Sequence, residues 1–325
     1  MRIVFRHSTG GQAGEASPPE VRETSRISLY DEVTRRIISE LEAGRFPWVQ
    51  PWGKAGASAP GLPRNAVTGA RYSGINVLLL WGAAISGGYT QQVWLTFKQA
   101  LAAGGSVRKG EHGTTIVYAD RFTPEGEKAK AIETGDDAKS IPFLKRYTVF
   151  NVTQCEGLRE GMAVNAAPSP ECDLIPHAER LIKATAADFR VGGDMAFYVP
   201  SADYIQVPPQ PAFRDQINYY RTCFHELSHW TGHGSRLNRD QSGRFGTHAY
   251  AREELCAEMG SAFICAALGI IPTVRHADYL ASWLDVLRED NRAIFRAASQ
   301  ASKAADYILA FGPEAPEASE QGIAA

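Results

Sequence analysis

His225-Glu226-Leu227-Ser228-His229 constrains this chain more than any other stretch. Histidines four residues apart lie one turn above each other on a helix, so a helical segment here stacks both imidazoles on one face. Glu226 between them falls within reach of a water on a metal held by the pair, the pattern of metal-assisted hydrolysis. Tyr220, Phe224, Leu227 and Trp230 supply apolar body for a helix over about 217–231, and Gly232 and Gly234 provide its end.

A hydrolytic zinc site takes three protein ligands and keeps one position open. Arg252-Glu-Glu-Leu-Cys-Ala-Glu258 reads as a helix with Glu254 and Glu258 as i,i+4 neighbours. That spacing suits Glu254 as third ligand and Glu258 as the acceptor holding a ligand imidazole by its other N–H. Glu253 points about 100° away and is the weaker choice. His233 and His248 also compete. Zn2+ is the expected cofactor, with another divalent ion such as Mn2+ as alternative. Tyr250, His248 and Arg236 are close enough in sequence to be oxyanion donors, and the strand predicted over 204–207 offers an edge for an extended peptide.

A chain of 325 residues is long for one core and suggests two domains. The longest apolar run, 75–85, contains Asn76 and Gly82 and falls short of the ~20 residues a membrane span needs. Residues 1–25 are rich in Gly, Ser, Pro and Glu, carry no apolar signal core, and read as a disordered lead-in, as do 313–325 as a tail. Five cysteines, odd in number and without paired spacing, suit reduced thiols in a cytoplasmic protein.

The apolar period Leu29, Val33, Ile37, Leu41 predicts a first helix that stops at Gly44; 76–85 predicts an interior helix and 94–103 a third. Thr114–Tyr118 and Arg146–Val152 read as strands flanking a charged loop, 123–140. The result is an α+β module over 26–158, followed by a Pro-rich linker over 159–176. Beyond it, 177–312 reads as a mainly helical domain with a small sheet: a helix at 177–188, strands at 195–199 and 204–207, then helices over 217–231, 250–268 and 277–312, the last with a break allowed within it.

The two parts differ in charge. Between Arg26 and Glu160 there are 17 Lys/Arg against 13 Asp/Glu, and from Gly161 to the end 14 against 20, which points the first part toward a polyanion. Trp48, Trp52 and Lys54 follow the first helix; Arg64, Arg71 and Tyr72, then Lys98, then Arg108 and Lys109, follow in turn. Aromatic faces with cations beside them are what single-stranded DNA binding requires, since every base can stack and every phosphate needs a counter-charge. Trp81 and Trp94 sit in apolar stretches and read as core.

The residues Leu29-Tyr-Asp-Glu-Val, Pro47-Trp48, Pro51-Trp52, Arg71-Tyr-Ser-Gly-Ile-Asn76, Trp94-Leu-Thr-Phe-Lys98, Val107-Arg-Lys-Gly-Glu-His-Gly113 and Tyr147-Thr-Val-Phe-Asn-Val152 resemble the N-terminal domain of plasmid antirestriction proteins of the ArdC type. His225-Glu-Leu-Ser-His-Trp-Thr-Gly-His233, Ser235-Arg-Leu-Asn-Arg239 and Tyr250-Ala-Arg-Glu-Glu-Leu255 extend the likeness, which covers about 26–310. The resemblance implies a single-stranded-DNA-binding domain, a zincin-like metallopeptidase domain, and protection of incoming plasmid DNA from host restriction during conjugation. It carries ligand roles onto His225 and His229, the catalytic role onto Glu226, and the third ligand onto the Glu253-Glu254 pair, with Glu254 preferred. The alternative expectation is an active zinc peptidase that cleaves a specific host protein or peptide and uses DNA as a tether.

Overall fold

A computed structural model describes residues 28–49, 61–124, 141–159, 161–162, 171–271 and 279–312. Helix α1 (Leu29–Glu42) starts where the Ser28 hydroxyl accepts from Asp31 N, carries Asp31 and Glu32 in its first turn, and buries Val33, Ile37 and Leu41 as its period predicts. Helix α2 (Ile75–Gly87) is apolar nearly all round and accordingly interior, closing on Gly88 at φ 63°.

The third expected helix divides. Val93–Leu95 is strand β2, buried throughout, and only Phe97–Ala102 is helical (α3), entered through a capping box of Thr96 and Gln99. Val93, Trp94 and Leu95 gain more by pairing between β1 (Arg64–Asn65) and β5 (Ile141–Asn151) than by extending a helix, and Thr96 supplies the start signal. With β4 (Thr114–Phe122) the sheet order is β1-β2-β5-β4, and β4 and β5 pair antiparallel with Tyr118 opposite Lys145 and Ile116 opposite Tyr147. The short strands β3 (Ser106–Val107) and β6 (Cys155–Glu156) form a separate pair.

Helix α4 (Glu171–Ala184) begins before the predicted start at 177 and holds Pro176 within it. It ends before Asp188 because Ala186 takes a left-handed conformation, φ 52°, that a helix cannot continue through. Asp188–Val191 is then strand β7, paired parallel to β9 (Tyr204–Val207), while β8 (Phe197–Val199) pairs antiparallel on the other side of β9. The order β7-β9-β8 makes β9 the central strand. It therefore offers no free edge to a peptide, contrary to expectation, because both its hydrogen-bonding sides are used.

Among the described residues four helices follow: α5 (Gln216–Trp230), α6 (His248–Ala267), α7 (Leu280–Glu289) and α8 (Ala293–Leu309). The extended backbone of Asp290 separates the last two. Helices α5 and α6 meet at Gly260, where a Cβ would lie 2.7 Å from Ser228 Oγ, so only glycine admits this approach.

The two parts share one hydrophobic core. Trp48 packs edge-on against Trp283 with ring centroids 5.6 Å apart, and Trp81 of α2 does the same against Phe263 of α6, also at 5.6 Å. Thr34 Oγ1 donates to Asn291 O (2.7 Å), and Gly74 N donates to Ser302 Oγ (2.8 Å), bridging the same boundary. Cys223, Cys256 and Cys265 are buried packing residues with free thiols, each pushed up to about 12 by burial. Among the described residues no helix is long and apolar enough to cross a membrane.

Candidate metal centre

Helix α5 places His225 and His229 one turn apart with their Nε2 atoms 3.2 Å from each other. Glu254, from α6, brings Oε2 to 3.5 Å of His225 Nε2 and Oε1 to 3.5 Å of His229 Nε2. Among the described residues these three form the group able to hold a metal, with ligand atoms all within 4.8 Å of one another. His225 and Glu254 are buried, and so is Glu226, at the next position of the helix. Two imidazole nitrogens and a carboxylate converging on one buried point need either protons or a cation between them. This N,N,O set suits zinc, and manganese as well.

Each imidazole has a carboxylate behind it. His229 Nδ1 lies 3.1 Å from Glu253 Oε1, and His225 Nδ1 lies 3.8 Å from Glu258 Oε1. Glu258, expected as the acceptor that holds a ligand imidazole, lies on the Nδ1 side of His225 at a separation longer than a direct hydrogen bond. Glu253, set aside as a ligand because of its direction, stands behind His229 for that same reason. It accepts Arg239 Nε (3.0 Å) and Nη2 (2.7 Å), and Gln241 Nε2 (3.1 Å), which holds its carboxylate from the far side. Arg239 also donates to Ser228 O (2.6 Å) and Thr231 Oγ1 (2.7 Å) at the end of α5.

These partners set the charge. Burial opposes a charged imidazole, but hydrogen bonds to Glu253 and Glu254 outweigh it and raise His229 to about 10; His225 is raised too, against burial, chiefly by Glu254. Burial likewise works to raise the carboxyls of Glu253 and Glu254, yet the facing histidines, with Arg239 on Glu253, hold both below the usual range. The site is a sink for positive charge.

The competing histidines lie elsewhere. His233 Nδ1 closes a turn with Ser235 Oγ (2.8 Å), and His248 pairs with Glu289 at 2.8 Å. Of the three oxyanion-donor candidates, His248 faces Glu289 at the surface. Arg236 is locked to Asp203, Tyr198 and Trp230 O and lies 4.0 Å over the Trp230 ring. Tyr250 remains, its hydroxyl against Glu254 and 3.2 Å from that of Tyr279.

The sequence motif did not reveal Arg239 and Gln241. They reach Glu253 because the chain turns back after α5 across Gly232, where a Cβ would fall 2.6 Å from Gln241 and 2.9 Å from Arg239. Gly232 is the sequence signal for this turn, since a side chain there would meet both Gln241 and Arg239.

The nucleic-acid candidates are scattered over the first part. Trp48 is 1% exposed in the core between Phe46 and Trp283, so, contrary to expectation, it has no face to offer a base. Trp52 and Lys54 lie outside the described residues. Arg71, Lys98, Arg108 and Lys109 are exposed, Arg108 in an ion pair with Glu111 (2.7 Å). Arg64 and Tyr72 are half-buried, and an isolated bridge joins Arg64 to Arg71. Burial raises the Tyr72 phenol above its ordinary value.

Two family models match the chain: the N-terminal domain of anti-restriction factor ArdC over residues 27–150, and a zincin-like metallopeptidase over 176–300. A crystal structure of the antirestriction ArdC protein from plasmid R388, metal-free, is similar at 40% identity and TM-score 0.72, covering 87% of this chain and 97% of that one. Its Mn(II)-bound form is 39% identical with TM-score 0.72, covering 89% and 100%. The uncharacterized protein y4eC of Sinorhizobium fredii (strain NBRC 101917 / NGR234) is 40% identical over 91% of this chain and 96% of its own length. The DNA primase TraC of Escherichia coli is 40% identical over 87% of this chain, which spans only 27% of that protein.

Proposed function

This chain belongs to the ArdC family of antirestriction proteins, and from that premise we propose that it binds single-stranded DNA through its first part and shields incoming plasmid DNA from host restriction during conjugation. It acts in the cytoplasm of the receiving cell, alongside the restriction proteins it opposes. The observation that carries this reading is the 40% identity to the R388 protein running through 97% of that chain, with exposed Arg71, Lys98, Arg108 and Lys109 in one part and the assembled His225, His229 and Glu254 in the other.

His225, His229 and Glu254 hold a divalent ion, zinc or manganese; the R388 relative was solved with Mn(II). A bound ion supplies Lewis acidity toward an oxygen in the cleft. Glu253 and Glu258 hold the two imidazoles in orientation, Glu226, buried beside His225 on the helix, takes and returns a proton, and the Tyr250 hydroxyl donates a hydrogen bond.

The test is plasmid transfer into a restricting host, comparing Arg71→Ala/Lys109→Ala with Glu226→Ala. Loss of protection in the first pair, together with salt-sensitive binding of the wild-type protein to an oligothymidylate, is the expected result. Wild-type protein that ignores the oligonucleotide overturns the reading.

A further inference from the structure

With Trp48 in the core, the exposed aromatic faces of the first part lie elsewhere. Tyr118 on β4 is 52% exposed and Tyr147 on β5 is 36% exposed. In the register of the two strands Tyr118 stands opposite Lys145 and Tyr147 opposite Ile116, so both tyrosines and the lysine project from one face of the hairpin. The inner end of that face, Ile116 and Val149, packs with Leu80, Ala84 and Trp94, which anchors the strands under α2. Asn76 of α2 secures β4 further, donating to Val117 O (2.8 Å) and accepting from Val117 N (2.9 Å). The tyrosines are therefore exposed at the end of a rigid support and not on a loop.

We propose that Tyr118 and Tyr147, with Lys145 opposite Tyr118 on the same face, form a two-base stacking platform for single-stranded DNA. The proposal rests on the DNA-binding reading above and gives it a place on the fold. The rings lie 6.4 Å apart with their planes at 84°. Bases stacked on them are turned away from one another, which a single strand permits and a duplex, with its parallel stack, does not. Lys145, its ammonium 5.4 Å over the Phe143 ring, places a cation on this aromatic face, which the register shares with Asp120 opposite Phe143.

The experiment uses the full chain and a fluorescein-labelled oligothymidylate, read by anisotropy, with duplex DNA as competitor. Tyr118→Ala and Tyr147→Ala are each expected to weaken binding about 5- to 100-fold, Tyr118→Phe to keep it, and Lys145→Ala to lower the salt slope by about 0.7. Thermal melts of each variant establish that the fold is kept. As a gain-of-signal check, the fluorescence of Tyr118→Trp is expected to quench on adding the oligonucleotide. If wild type binds while both alanine variants bind equally well, or the Tyr118→Trp signal does not change, the platform is refuted and DNA binding stands at another surface. If wild type does not bind, the functional reading falls and the platform with it.

Discussion

Glu253 Oε1 sits 3.1 Å from His229 Nδ1, while its other side is held by Arg239, so a carboxylate adjacent in sequence to Glu254 serves the opposite nitrogen of the same imidazole. Consecutive helical residues point about 100° apart, which lets one turn of α6 approach His229 from two directions.

Because Glu253 fixes the ring and raises its basicity, Glu253→Gln and Arg239→Ala are each expected to weaken metal binding about 10- to 100-fold without abolishing it. Competition against a chromogenic chelator measures this. Wild-type affinity in both variants would show that the contact is only structural.

The raised His229 predicts that stabilisation by a metal ion grows with pH. A folded value near 10 against an ordinary 6.5 means that the protonated imidazole stabilises the metal-free fold fully below about pH 6.5, and that this is lost as pH rises toward 10. A cation competes with that proton, so the rise in Tm on adding Zn2+ should grow across the same window. Melts in EDTA and in Zn2+ at pH 6.5 and 9 check it; an unchanged gap contradicts the assignment.

Gly260 lets α5 approach α6. In Gly260→Ala the new Cβ would lie 2.7 Å from Ser228 Oγ and 3.1 Å from Ser228 Cβ, and Ser228 is already committed to Phe224 O (2.8 Å). Overpacking of this kind costs about 1–3 kcal/mol. Chemical denaturation should show that loss, accompanied by weaker metal binding because the His225 turn is displaced.

A core shared across the chain predicts one cooperative unfolding transition. Trp48→Ala, which empties the space against Trp283, is expected to cost about 3–5 kcal/mol and to lower the midpoint reported by both parts alike. Calorimetry resolving two separate transitions would refute the coupling.

Local periodicity carried much of the fold. The four-residue spacing of α1, the all-apolar run of α2 and the β-branched stretches of β4 and β5 each announce their element because one short segment contains the whole signal. Where two structures competed for the same apolar run, as at Val93–Leu95, the outcome depended on strands far away in sequence. Strand β7 escaped notice for a related reason: Asp188-Phe-Arg-Val has only two apolar residues, and it is a strand because β9 pairs with it.

By itself the sequence determined that His225 and His229 share a helical face and that Glu254 and Glu258 share another, since helix geometry converts spacing into direction. Only the tertiary structure decided that these faces meet, which carboxylate stands behind which imidazole, and that Trp48 is core while Tyr118 and Tyr147 are surface. Those outcomes depend on how α6 crosses α5 at Gly260 and how Trp283 reaches back to the first part, contacts that no local pattern encodes.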